Sequence, residues 1–154
     1  MRLRNIFVAR RGLRDSPGLN CIAHFIRQKD LNAVELSVVT LASAFYGCSR
    51  LEQITGILKI ASNVPLTDAF KGCAVLHTVK LSGLSSNIDL SDCAQLSVET
   101  IEHLIENSIQ PGSGTITITV HPDVNNNINN NSSWGDVRAL LQEKTYITIQ
   151  SATA

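Results

Sequence analysis

Hydrophobic residues recur at a fixed interval through the middle of the chain. The two clearest copies of the pattern are Phe45, Cys48, Leu51 and Ile54, and Phe70, Cys73, Leu76 and Val79. A third copy, Leu90, Cys93 and Leu96, follows them, and a weaker one, Phe25, Gln28, Leu31 and Val34, precedes them. The step between copies is 20 residues, except between the two clearest, where about five extra residues fall within positions 55–67. Such a repeat indicates a stack of similar structural units.

Each unit is expected to contain one short strand and to bury its apolar side chains against the next unit. The pattern of Leu76, Val79 and Leu81 includes a strand whose alternate side chains point inward. Because neighbouring strands lie ~4.8 Å apart, equivalent residues of successive units should stack in rows. Gly47 and Gly72 share one position of the repeat, which predicts a corner with positive φ. The stability of such a solenoid comes from contacts between neighbouring units.

After Leu96 the pattern changes to alternating helices and strands. Ser97 is a suitable cap for a helix that turns Val98, Ile101, Leu104 and Ile105 inward and Glu99, Glu102, His103 and Glu106 outward. TITITV alternates with a period of two and predicts a strand. A second helix, capped by Ser133, and a last strand, TYITIQ, follow. We expect this ending to continue the stacked sheet and to close its open edge.

An asparagine run occupies residues 125–133, with the sequence NNNINNNSS. A segment of this composition has little apolar surface to bury. We therefore expect a mobile surface loop there, with a recognition loop as the alternative.

Two copies of the repeat share a longer signature. Residues 44–48 and 69–73 read AFYGC and AFKGC, within the pattern A-F-x-G-C-x-x-L-x-x-[IV]. Over about residues 25–110 this pattern closely resembles the BspA-like leucine-rich repeats. LSDCAQLSVETIEHLIENS, followed by TITITVHPDV, is also similar to the C-terminal ending of such proteins in gut Bacteroidetes and their prophages. The third copy departs from the family, with Leu90 and Asp92 in place of Phe and Gly.

The expected fold class is therefore α/β, a leucine-rich-repeat solenoid with stacked short strands, closed by a C-terminal helix-strand-helix-strand cap. We expect a single domain over residues 1–154. Residues 1–24 would form a degenerate N-terminal coil or cap, residues 25–96 the repeat coils, and residues 97–154 the α/β cap. A chain of this length buries roughly two-thirds of its unfolded surface, so folding requires no disulfide or metal.

The overall balance of charge hides an asymmetry. The chain has 13 basic and 13 acidic residues, but residues 1–30 hold seven of the former and two of the latter. Arg10, Arg11 and Arg14 form a candidate anion patch. Arginines without interleaved aromatic residues are weak evidence for nucleic-acid binding, so a solvated terminal face is the plainer interpretation. The apolar run that follows the first basic residues, 6–9, is too short for a signal peptide, and no run reaches the ~18 residues of a membrane span.

The cysteines and the sequence motifs do not support a metal or catalytic site. Cys21, Cys48, Cys73 and Cys93 include no C-x-x-C pair. The last three share one position of the repeat and predict a reduced interior row, with some room for oxidation between coils, whereas Cys21 is the expected exposed thiol. Nucleophile elbows, phosphate loops and paired carboxylates are not found in the sequence. We expect no enzyme, no metal and no cofactor.

The expected function is binding without catalysis, through the outward residues of successive coils. These are Glu35, Ser37, Glu52, Gln53, His77, Thr78 and Lys80. The first hypothesis is a protein-interaction module, and the resemblance implies adhesion to a host surface or matrix protein. The alternative is a structural or receptor-binding component of a phage-like particle, with self-association through the solenoid ends. Anion or nucleic-acid binding by the basic N-terminus ranks last. The compartment, a bacterial cell surface or a phage particle, follows from the resemblance alone.

Overall fold

The computed structural model describes residues 36–38, 41–60 and 64–153. Within these ranges the strands are β1 (Leu36–Val38), β2 (Gln53–Ile60), β3 (Thr78–Ser82), β4 (Ile88–Leu90), β5 (Ile116–Val120) and β6 (Ile147–Ser151). The α-helices are α1 (Val98–Glu106), α2 (Pro122–Asn130) and α3 (Gly135–Glu143), and a 3-10 turn, Ser132–Trp134, precedes α3.

The six strands form two parallel sheets of three strands each. Sheet A has the order β1-β2-β3, and sheet B has the order β4-β5-β6. In sheet B, Ile118 pairs in register with Ile88 on one side and with Ile149 on the other. One hydrophobic cluster contains the inward residues of both sheets, so the two sheets share a core.

The prediction of a leucine-rich-repeat solenoid is wrong for the described residues. Sheet A ends at β3, and β4 pairs with β5 instead of extending sheet A. The third copy of the repeat leads into α1 rather than into a strand, because Ser97 caps a helix there and accepts the N–H of Thr100 at 3.3 Å. The C-terminal elements therefore build a second sheet and do not continue the first. The result is a small α/β fold with two parallel sheets.

The predicted stacking of the two clearest copies is confirmed as a local contact. The rings of Phe45 and Phe70 are stacked, with centroids 5.3 Å apart and an interplanar angle of 7°. Gly47 and Gly72 have φ values of 73° and 78°, as their corner position predicts. A Cβ on Gly72 would lie 3.2 Å from the Cα of Gly47, so the two turns approach closely. The repeat sets this contact, but the strands do not form one continuous sheet.

Part of the extra length between these two copies lies within β2. This strand has eight residues, and its register with β3 shifts between Gln53 and Ile57. A local irregularity of this kind accommodates additional residues while the strand on either side stays paired. Ile54, within the shifted stretch, and Leu58, just after it, are both buried.

The elements predicted after Ser97 are largely confirmed. The predicted inward residues Ile101, Leu104 and Ile105 of α1 are fully buried. The alternation of TITITV gives β5, which buries its three apolar side chains. The residues before β6 are tied to the end of α1, because the Lys144 Nζ donates to the Glu106 carbonyl at 2.7 Å. This contact places a cation at the helix C-terminus, where the helix dipole favours it.

The asparagine run is largely helical, so the prediction of a mobile loop over residues 125–133 is wrong. His121 caps α2 by accepting the Asp123 N–H at 3.2 Å, and Pro122 stands in the first turn, a favourable position for proline. Val124 and Ile128 lie one turn apart on α2 and are buried. Two apolar side chains at helical spacing outweigh the polar composition between them.

The cap predicted for the last helix is also wrong. Ser133 lies inside the 3-10 turn, whose own cap is the side chain of Asn131. The following helix α3 begins at Gly135 and has no side-chain cap bond. Trp134 is buried just before α3.

Candidate protein-binding surface

The N-terminal ends of β2 and β3 bring together four of the residues that the sequence indicated. Gln53 pairs in register with Thr78, and the His77 N–H donates to the Glu52 carbonyl at 2.8 Å. The His77 Nδ1 lies 2.9 Å from the Thr78 Oγ1, a contact that restrains the imidazole ring. Glu52 and Gln53 are exposed, whereas His77 and Thr78 are half-buried.

Lys80 lies further along β3, in register with Ile57 of β2. Its Nζ is 2.6 Å from the Glu99 carboxylate of α1. The hydrogen bond and the positive charge of Lys80 lower the pKa of Glu99 below its ordinary value. Ile57 is 42% exposed, so this part of the surface offers an apolar side chain beside an ion pair.

A groove of about 500 Å³ lies next to these strand ends. It is lined by Ser49, Arg50, Glu52, Val75, His77 and Gln95. Arg50, Val75 and Gln95 each precede the leucine of a C-x-x-L segment, so three copies of the repeat contribute equivalent positions to one groove. Sequence reasoning missed these three residues. The signal was present, since aligning the copies already places them at one position.

Other predicted site residues are not brought to this surface by the described structure. Glu35 and the anion patch of Arg10, Arg11 and Arg14 lie outside the described residues. Ser37 belongs to β1 and pairs in register with Lys59 of β2, but its side chain is outside the description. The described surface is therefore centred on β2 and β3.

A second, smaller pocket of about 180 Å³ is lined by Asp68, Lys71, Asp89, Ser91 and Asp92. Its carboxylates have structural partners. Asp92 accepts the Gly72 N–H at 2.8 Å, and Asp89 accepts the Ser91 N–H at 2.9 Å. Asp92 stands where the two clearest copies of the repeat have glycine, so this departure supplies an acceptor for a backbone N–H of the preceding turn.

The row of Cys48, Cys73 and Cys93 is buried, as the repeat predicts. Cys73 and Cys93 are free thiols. Burial raises the pKa of Cys73 to about 11 and that of Cys93 to about 12, so both thiols stay protonated and unreactive at neutral pH. The prediction of a reduced row is wrong for Cys48, which is disulfide-bonded. The predicted exposed thiol, Cys21, lies outside the described residues.

His103 is not on an open charged face, in contrast to the prediction from the α1 pattern. The residue is half-buried, and its Nδ1 lies 3.2 Å from the Asn107 Nδ2. Burial lowers the pKa of His103, with a further contribution from the charge of Lys80. Its Nε2 is buried and has no hydrogen-bond partner among the described residues. His103 is therefore a partly packed residue and not part of an open charged face.

Across residues 36–38, 41–60 and 64–153, no group of three or more His, Cys, Asp or Glu side chains is arranged to hold a metal ion. In the same ranges no helix has the length and apolarity needed to cross a bilayer. Comparison of the chain with family models, with curated proteins and with solved structures found no match.

Proposed function

We propose that the chain is a non-catalytic protein-interaction module whose contact surface is the groove together with the outer face of β2 and β3. The groove carries the proposal, because three equivalent positions of a repeat meet there and present a cation, an apolar side chain and an amide to solvent. A contact surface of mixed character, with charges around an apolar residue, suits a folded protein partner.

The polar groups around the groove support binding rather than chemistry. The Lys80 ammonium is engaged by Glu99, and the His77 ring contacts the Thr78 hydroxyl. Both free thiols are buried and have raised pKa values. These side chains are held in structural contacts, whereas Arg50 and Gln95 are exposed to a partner. Following the resemblance to BspA-like proteins, the proposed partner is a host surface or matrix protein.

Binding to a panel of immobilised extracellular-matrix proteins tests the proposal. We expect one or more of them to bind the wild type, and Arg50→Glu to weaken that binding about tenfold by reversing a charge in the groove. Lys71→Glu is the matched control, since it makes the same charge change at an exposed residue outside the groove. Binding to none of the panel, or equal weakening by both variants, would contradict the proposal.

One observation favours the alternative, a structural or receptor-binding component of a phage-like particle. Sheet B ends in an edge strand, β6, and assemblies often extend through such edges. The third candidate is anion or nucleic-acid binding. It depends on Arg10, Arg11 and Arg14, which lie outside the described residues, and no described residue favours it.

A further inference from the structure

The outer edge of β6 presents backbone groups that are not paired in the described part of the chain. The Ile116 N–H donates to the Tyr146 carbonyl at 2.7 Å, and the Ala152 N–H donates to the Val120 carbonyl at 2.9 Å. In a parallel ladder, alternate residues face the same neighbour. Thr148 and Gln150 therefore face β5 as well, and the N–H and C=O groups of Ile149 and Ser151 point away from it.

The strand has none of the features that usually protect an exposed edge. Residues 145–153, TYITIQSAT, contain no charged residue and no proline. The register of β6 with β5 is continuous from Ile147 to Ser151, so no bulge twists the edge away. Natural proteins blunt edge strands with lysine, proline or bulges, because an open edge pairs with another strand.

We propose that two copies of the chain pair through β6, as antiparallel strands related by a two-fold axis at Ile149. Each Ile149 then exchanges both backbone hydrogen bonds with its counterpart, and each Ser151 N–H donates to the Ile147 carbonyl of the other copy. Sheet B of one copy and sheet B of the other then form one six-stranded sheet. This pairing does not depend on the groove or on its partner.

The side chains of β6 are complementary to themselves in this arrangement. Thr148 and Gln150 are exposed on one face, and in the pair each Thr148 lies opposite the Gln150 of the other copy. Ile149 is half-buried on the other face and meets its own counterpart. Polar therefore meets polar and apolar meets apolar, with no like-charge contact. A second copy of the chain can therefore pair with the outward N–H and C=O groups of β6, and no other partner is needed.

A pair of charge variants tests the proposal. Thr148→Lys with Gln150→Lys places like charges directly opposite each other across the two-fold axis. Thr117→Lys with Thr119→Lys adds the same charge to the same face, in register with those positions but one strand further from the edge. Light scattering on a sizing column, from about 1 μM to about 1 mM protein, measures the dimer dissociation constant.

We expect the wild type and the Thr117/Thr119 variant to dimerise alike, at high salt as well as low, because backbone bonds and apolar contacts are not screened. The Thr148/Gln150 variant should dimerise at least about tenfold more weakly. Ser151→Pro, which removes an outward N–H without an added charge, should do the same. A wild type that remains monomeric, or variants that all dimerise alike, would overturn the proposal.

Cross-linking checks the register. The Cα atoms of Thr148 and of Gln150 in the other copy would lie about 4.5 Å apart, a distance that a disulfide spans. We expect a mixture of Thr148→Cys and Gln150→Cys chains to cross-link under mild oxidation. Equal cross-linking within either variant alone would contradict the two-fold axis at Ile149.

Discussion

β3 and β6 are both the last strand of a three-stranded parallel sheet, yet the chain treats their outer edges differently. Beside β3, the Thr100 hydroxyl accepts the Val79 N–H at 3.2 Å and donates to the His77 carbonyl at 3.0 Å. The Gly83 N–H, just beyond the strand, donates to the Asn107 carbonyl at 2.8 Å. Beside β6, the described chain supplies no equivalent groups at Ile149 or Ser151.

The difference shows how a repeat is ended. One threonine on a capped helix satisfies two of the backbone groups that a further strand would have paired, the Val79 N–H and the His77 carbonyl, and Thr100 is fully buried. The Lys80–Glu99 ion pair joins the same helix to the same strand from the solvent side. Helix α1 therefore supplies hydrogen-bond partners along the outer edge of β3, whereas the described residues supply none at Ile149 or Ser151 of β6.

Proline substitutions along β6 should change the free energy of unfolding most. They also distinguish the N–H groups that face β5 from those that point away from it. Gln150→Pro removes an N–H that faces β5 and should lower the free energy of unfolding by about 2–4 kcal/mol. Ser151→Pro removes an outward N–H and should cost about 1 kcal/mol or less. Urea unfolding of the two variants, with Gln150→Ala and Ser151→Ala as controls, measures both values at a concentration where the chain is monomeric. Equal costs would show that the outward side of β6 is already paired.

Removing the hydroxyl beside β3 should give the next largest effect. Thr100→Val keeps the shape of the side chain but leaves the buried Val79 N–H without an acceptor, so we expect a loss of about 2 kcal/mol in unfolding free energy. Thr100→Ser retains the hydroxyl and is the control, with a cost of about 1 kcal/mol for the lost methyl group. If valine were tolerated as well as serine, the hydroxyl would not be what closes this edge.

The ion pair between α1 and β3 should give the smallest effect, because both partners are at the surface. The pKa of Glu99 is lowered in the fold, so its contribution is complete above the ordinary value of 4.5 and is lost as the pH falls below that value through the lowered pKa. The stability difference between wild type and Glu99→Gln should therefore be present at pH 7 and disappear in acid. Glu106→Gln removes a carboxylate from the same helix and is the matched control for the loss of one negative charge. A difference that persists unchanged in acid would contradict the pairing.

The sequence pattern predicted local structure better than it predicted the order of the strands. The spacing of Phe45 and Phe70 led to their stacked contact, and the alternation of residues 115–120 led to β5. The helix that Ser97 caps was predicted, but the pattern did not indicate that Thr100 of this helix contacts the outer edge of β3. These contacts are side-chain hydrogen bonds, which a hydrophobic pattern does not encode.

The candidate surface shows a similar division. Glu52, Gln53, His77 and Thr78 were found because they are polar residues at equivalent positions of the two clearest copies of the repeat. Arg50 and Gln95 were missed because they lie in turns, before β2 and before α1, where strand alternation does not set the direction of a side chain. The asparagine helix was missed because its burial rests on two side chains, Val124 and Ile128, in an otherwise polar segment.

Amide hydrogen exchange, measured residue by residue at low and at high protein concentration, tests the contrast between the two edges most directly. The Val79 amide should be protected at both concentrations, because Thr100 of the same chain accepts its proton. The Ile149 and Ser151 amides should exchange rapidly in dilute solution and become protected at high concentration, when a second copy pairs with β6. Protection of Ile149 in dilute solution, or rapid exchange at both concentrations, would contradict an open edge that closes by self-pairing.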